Sequence, residues 1–272
     1  MNEFECQYAY SDFAKAVRNE RRWLFDEKTK NFLAAVRTTG KSRVRSLPAG
    51  SPLWRAQRGA LPGPGTDNGV EQECPLPEAR MIPDPQYIKS GGRANPPGFA
   101  YLYLATDEKT ALAEMRPWIG ESVTLALFEI MNDITLVVCQ ARPENAIKRV
   151  LEKNPPAERL EEYVWNDISR AFAHPVNRED KECAYVPTQI LAEAFKAEGV
   201  DGLEYYSGLE RGTNVVLFDL RVAKLTQRFL YTLTRVRYDL DADPNHAIYR
   251  EKGGVYKSIT EICTDSLAPG FQ

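Results

Sequence analysis

Histidine is almost missing from this chain: 272 residues carry two, His174 and His246. A zinc centre or a Ser-His-Asp triad would have to be built from one of them. His174 precedes Pro175 and His246 sits in the turn-like stretch "DADPNHA", so each is expected at the surface or at a helix end. Cysteine is sparse too. Cys6, Cys74, Cys139, Cys183 and Cys263 are odd in number and never fall in C-x-x-C spacing, which argues for reduced, mostly structural thiols. No stretch approaches the roughly 20 apolar residues of a membrane helix. The opening "MNEFECQYAYSDF" shows no basic segment followed by an apolar run, and the expectation is a soluble, cytoplasmic protein without a membrane partner. An excess of positive charge is also absent. A formal net charge of −3 gives no global field for gripping nucleic acid. What remains for chemistry is Arg, Glu, Tyr and Ser.

The hydrophobic pattern predicts one mixed domain. Residues 11–38 read as helix, with Phe13, Val17, Leu24, Phe32, Leu33 and Val36 at helical spacing. The basic knot "KSRVR" (Lys41–Arg45) has no interleaved aromatics and reads as a solvated connector. "PLWRAQR" (Pro52–Arg58) reads as a strand with Leu53 and Arg55 on one face and Trp54 and Ala56 on the other. Gly59–Gly92 is rich in glycine and proline and too long for an ordinary connection, which suggests a lid or a disordered insertion.

In "AYLYLA" the period of two puts Tyr101 and Tyr103 on one face and Leu102 and Leu104 on the other. Thr106 or Asp107 then caps a helix that ends before Pro117, with Glu114 on its last turn. "SVTLALFEI", "DITLVV", "GLEYYS" and "NVVLFD" read as strands, and "ERLEEYVWNDISRAFA" and "TQILAEAFKAEG" as amphipathic helices. The tail from Phe229 reads as a β-hairpin turning at "DADPN". With no internal repeat, the expected class is α+β. The expected organisation is a helical extension over 1–48, a catalytic domain over 49–222 and a hairpin over 223–272 packed on the same domain.

Two arginines, tyrosines, a glutamate and a serine suit one kind of chemistry. Guanidinium forks match phosphate oxygens, so Arg55 and Arg93 could hold a pyrophosphate. A tyrosine can stack on a flat ring, and a carboxylate can stabilise a sugar carbon that turns cationic as a glycosidic bond breaks. Ser207, ahead of the loop "SGLERGT", could hydrogen-bond a ligand amide or hydroxyl. Each residue alone also has a plain structural reading: a solvated helix face for Glu114, ion pairs for the arginines, a turn cap for Ser207.

Three blocks, "LWRAQRG", "GGRANPPGFAYLYLATDEKTALAEMRP" and "VDGLEYYSGLERGTNVVLFD", resemble the signature blocks of the RES domain family, named for an Arg, a Glu and a Ser. The resemblance implies an ADP-ribosyltransferase-like mixed sheet core with flanking helices and a cleft for NAD. By motif it assigns catalytic roles to Arg55, Glu114 and Ser207 and substrate contacts to Arg93 and Tyr103. It further implies NAD as substrate, phosphate as co-substrate, no metal and no further cofactor. The implied activity is NAD phosphorylase, with release of nicotinamide. Water or a protein side chain as acceptor, and a non-catalytic nucleotide- or partner-binding module, are the alternatives. The implied partner is an Xre-like helix-turn-helix antitoxin, and a homo-oligomer is a further expectation.

Overall fold

The computed structural model describes residues 4–63, 72–141, 149, 152, 155–174, 181–236, 250–252 and 255–257. His246, Cys263 and the expected turn at Asp241–Asn245 lie outside them. The chain divides into two units, Met1–Thr234 and Arg235–Gln272. In the second, β11 (Arg250–Lys252) and β12 (Val255–Lys257) pair antiparallel.

The first unit is α+β. It is built on an eight-stranded mixed sheet with order β1-β7-β8-β9-β5-β2-β6-β10. The strands are β1 (Val44–Leu47), β2 (Pro52–Arg58), β5 (Leu102–Ala105), β6 (Ser122–Ile130), β7 (Ile134–Val138), β8 (Gly202–Tyr206), β9 (Thr213–Leu217) and β10 (Ala223–Thr232). Among the described residues only the β7–β8 pair is parallel. A two-stranded ribbon, β3 (Leu61–Pro62) with β4 (Glu73–Cys74), lies in the β2–β5 connection. Among the described residues no helix is long and apolar enough to cross a membrane.

Alternation along the strands feeds two faces. Tyr101, Val137, Leu203, Tyr205 and Val216 join one cluster, into which four helices pack. These are α1 (Ala9–Asn19), α2 (Glu27–Gly40), α5 (Ala157–Ala173) and α7 (Val186–Ala197). Leu53, Leu102, Leu104, Phe128, Val215 and Leu217 form the other cluster. A third, smaller cluster gathers Ala56, Ala105, Val123 and Leu125 beneath α4 (Glu108–Met115). Two short helices, α3 (Glu78–Met81) and α6 (Lys181–Ala184), are also among the described residues.

Four segments differ from the sequence expectation. The N-terminal helix is two helices, because Asp26 accepts a hydrogen bond from the Thr29 amide and starts α2 afresh. The basic knot is bound into the fold: the Arg43 guanidinium lies 4.4 Å from the Trp165 ring centroid, and Arg45 Nε donates to Glu204 at 2.5 Å. Glu204 is buried on β8, so its carboxylate requires such a partner. The described parts of 59–92 are built in rather than loose, with Leu76 and Met81 buried and the Leu76 amide donating to Thr124 Oγ1. Phe229–Thr232, read as the start of a hairpin arm, is the end of the longer strand β10, with Phe229 opposite Leu125 and Thr232 opposite Ser122 of β6. An edge strand needs an apolar row on one face only, so the polar stretch "AKLTQR" gave no strand signal.

Met81 is fully buried in the second cluster. Met81→Ala is therefore expected to cost about 2–5 kcal/mol of unfolding free energy. Urea denaturation measures it, and a loss near zero would mean that the 72–92 segment is only loosely attached.

Candidate functional site

The site begins where the sheet is weakest. The ladder between β2 and β5 is one residue pair, Trp54 with Ala105, whereas β2 pairs with β6 along its whole length. The β2–β5 seam is therefore open around Arg55, whose Nη1 crosses it to donate to the Tyr103 carbonyl at 3.0 Å. Arg55 Nε is shielded from solvent and has no hydrogen-bond partner among the described residues. Burial pulls the guanidinium pKa down to about 10, so the group stays charged at neutral pH.

Tyr103 carries the next layer. Its hydroxyl donates to Asn95 Oδ1 at 2.6 Å and accepts from the Ala94 amide at 2.9 Å. Burial pushes its pKa up, and the phenol keeps its proton. A side chain on Gly92 would begin 2.5 Å from that hydroxyl, so only glycine allows the loop to come this close. The loop is also held from α7, where Thr188 Oγ1 donates to the Arg93 carbonyl and Gln189 Nε2 to the Gly92 carbonyl. Arg93 is thereby fixed at its backbone. Its guanidinium donates to the His174 carbonyl and sits 5.5 Å from the Tyr185 ring centroid.

Glu114 faces this loop from α4. Asp107 caps that helix by accepting from the Thr110 amide at 2.9 Å. One carboxylate oxygen, Oε1, accepts from both Ser207 Oγ at 2.9 Å and Asn214 Nδ2 at 2.7 Å. The second oxygen, Oε2, takes no protein hydrogen bond among the described residues. Ser207 Oγ in turn accepts from the Leu209 amide at 3.1 Å. The serine is both a turn cap and a tether for the glutamate.

Arg55, Arg93, Tyr103 and Glu114 line one cleft of about 320 Å³, together with Trp54, Met115, Tyr185, Tyr205 and Asn214. Ser207 stands one hydrogen bond behind Glu114 rather than in the wall. The structure thus gathers all five residues singled out from the sequence. Neither arginine forms an ion pair among the described residues. Asn95 and Asn214 escaped the sequence reading although both lie inside the quoted blocks. Asn214 carried the stronger signal, since it is a buried amide on a core strand and a buried amide needs partners.

Chemically, the cleft offers a shielded cation with an unused donor, a carboxylate held by one oxygen with the other free, and aromatic walls. That combination suits an anionic ligand with a flat ring. No group of three or more His, Cys, Asp and Glu side chains that could hold a metal ion occurs among the described residues.

Comparison with known proteins adds a family. The model of the RES domain matches residues 74–241. The matched segment contains Arg93, Tyr103, Glu114 and Ser207 but begins after Arg55. No curated protein matches the sequence. A chain in the crystal structure of the M. tuberculosis MbcT-MbcA toxin-antitoxin complex aligns over 72% of this chain and 92% of its own length, at 15% identity and a TM-score of 0.38.

Tyr103→Phe removes the donor to Asn95 and the acceptor for the Ala94 amide. The expected loss is about 1–3 kcal/mol of unfolding free energy, because buried partners are left unpaired. Denaturant titration of the two proteins checks this, and equal midpoints would remove the tyrosine from its place as anchor of the loop.

Proposed function

The chain belongs to the RES domain family, and from that premise we propose that it is an NAD-degrading enzyme that cleaves the nicotinamide-ribose bond with inorganic phosphate as acceptor. The observation that carries this reading is the pairing, in one cleft, of the half-anchored Glu114 carboxylate with the shielded Arg55 guanidinium.

Cleavage passes the electron pair of the C1″–N1 bond to the nicotinamide ring, neutralising the pyridinium and leaving positive charge on the ribose carbon. Glu114, directed by Ser207 and Asn214, presents Oε2 to that carbon and stabilises the oxocarbenium-like state. Tyr103, Tyr205 and Trp54 supply aromatic wall for the ring. Arg55 and Arg93 hold phosphate oxygens, and an oxygen of the bound phosphate bonds to C1″. The products are nicotinamide, ADP-ribose 1″-phosphate and a proton.

In this reading Ser207 acts through Glu114 rather than on the ribose, because its hydroxyl is already engaged by the carboxylate and the Leu209 amide. Family membership extends the proposal to the toxin half of a toxin-antitoxin pair, neutralised by a helix-turn-helix partner that covers the cleft.

The test is NAD consumption by purified protein, with products identified by mass spectrometry with and without phosphate. ADP-ribose phosphate is expected only when phosphate is present. Glu114→Gln should lower turnover by roughly 10²–10³-fold, the scale of losing one electrostatic stabiliser. Asn214→Ala should cost about tenfold, since Ser207 still tethers the glutamate. ADP-ribose formed equally without phosphate would make water the acceptor, and a labelled protein band would make it a side chain. Intact NAD in a folded sample would defeat the proposal.

A further inference from the structure

Beside the cleft lies a second groove, of about 710 Å³, that the reaction above does not use. Its walls include Tyr10, Lys15 and Arg18 of α1, Arg170 of α5, His174 just beyond that helix, and Gly208. It adjoins the cleft at two points. Gly208 directly follows Ser207, and the His174 carbonyl holds the Arg93 guanidinium.

The charge of this groove departs from that of the chain. Lys15 and Arg18 stand at i and i+3 on one face of α1, and Arg170 adds a third exposed cation. Asp167 also lines the groove, but both of its carboxylate oxygens are taken by Arg149, at 2.8 and 2.7 Å. Its charge is offset there. Arg18 spends one nitrogen on the Ala184 carbonyl, which orients its fork without neutralising it. Tyr10 is 8% exposed, and its hydroxyl is shielded without a hydrogen-bond partner among the described residues. A positive groove with an unused buried donor in its wall is chemistry for a multiply charged anion.

Size sets what the cleft cannot do. Its 320 Å³ stands at the lower end of small-molecule pockets, about 300–1,000 Å³. It suits the reacting half of a dinucleotide, and the other half has to leave through an adjoining surface.

We propose that the groove between α1 and α5 is a nucleoside-diphosphate subsite, with Arg18, Arg170 and Lys15 on the diphosphate oxygens and Arg93 at the junction with the cleft. This rests on the reading of the cleft as a dinucleotide site. The N-terminal extension then contributes directly to substrate binding, and the groove recognises the part of the substrate that does not react.

Calorimetric titration of ADP into the full-length protein tests it, with circular dichroism confirming that each variant is folded. Wild type and the distant control Lys224→Glu are expected to bind ADP alike. Arg18→Glu and Arg170→Glu should each weaken binding about tenfold or more, the scale of a charge-assisted hydrogen bond replaced by repulsion. Folded wild-type protein that does not bind ADP, or charge reversals that leave its affinity unchanged, would overturn the subsite. ADP binding with the expected pattern but no NAD consumption would keep the groove and remove the cleavage reading. NAD consumption with reversals that do not affect ADP binding would remove the groove alone.

Discussion

The site depends on Tyr103, whose two ends are bonded in opposite directions. Its carbonyl accepts from Arg55 across the open β2–β5 seam, and its hydroxyl holds Asn95 and the Ala94 amide. One residue thus ties a central strand to the loop that carries Arg93. Buried hydrogen bonds of this kind are worth little in net terms while satisfied and cost much when broken, so the geometry is held tightly. The absence of a side chain at Gly92 is the steric counterpart of the same constraint.

The opposite wall follows similar logic with different parts. Glu114 belongs to α4, and both groups that hold it, Ser207 and Asn214, belong to the β8–β9 hairpin. The carboxylate therefore joins helix to sheet while keeping one oxygen for a ligand. Arg55 is the less satisfied partner: a buried nitrogen with nothing to donate to is a cost that a folded protein rarely carries. Sites built to bind accept such costs because the ligand supplies the missing acceptor. Stability and affinity are coupled here, since an anion that fills the donor stabilises the native state as well.

Much of this was legible in the sequence because the local signals were strong. Period-two alternation placed Tyr103 opposite Leu102 and Leu104, and the cap signal at Thr106 or Asp107, of which the structure uses Asp107, set the start of α4 and so the position of Glu114. What escaped was largely non-local. The break in the first helix did have a local signal, the Asp26 cap on the Thr29 amide, which the helical spacing on either side masked. The basic residues Arg43 and Arg45, by contrast, read as solvent-facing until Trp165 and Glu204 arrive from distant segments. Strand β10 was hidden by its place at the sheet edge, where polar residues are tolerated. Met81 lies in a segment whose prolines and glycines suggest looseness, yet its side chain fills the core. Composition reports the backbone's freedom and says nothing of the partner that removes it.

The folding unit is also larger than the segment matched by the RES domain model, which begins at residue 74. β2 lies before that point, pairs with β6 along its full length and supplies Arg55 to the cleft. β1 closes one side of the sheet against β7, and its Arg45 neutralises the buried Glu204. Helices α1 and α2 place Phe13, Val17, Phe32 and Val36 in the same cluster as Trp165 and Phe195. Residues 4–58 therefore act as core, sheet and site at once. A chain trimmed to the matched segment would lack a central strand, expose the apolar face of α5 and take from the Glu204 carboxylate its cation, leaving it the neutral donors Gln140 and Thr213. Each of these is a large destabilisation, and the first also removes half of the charge pair on which the chemistry of the cleft rests.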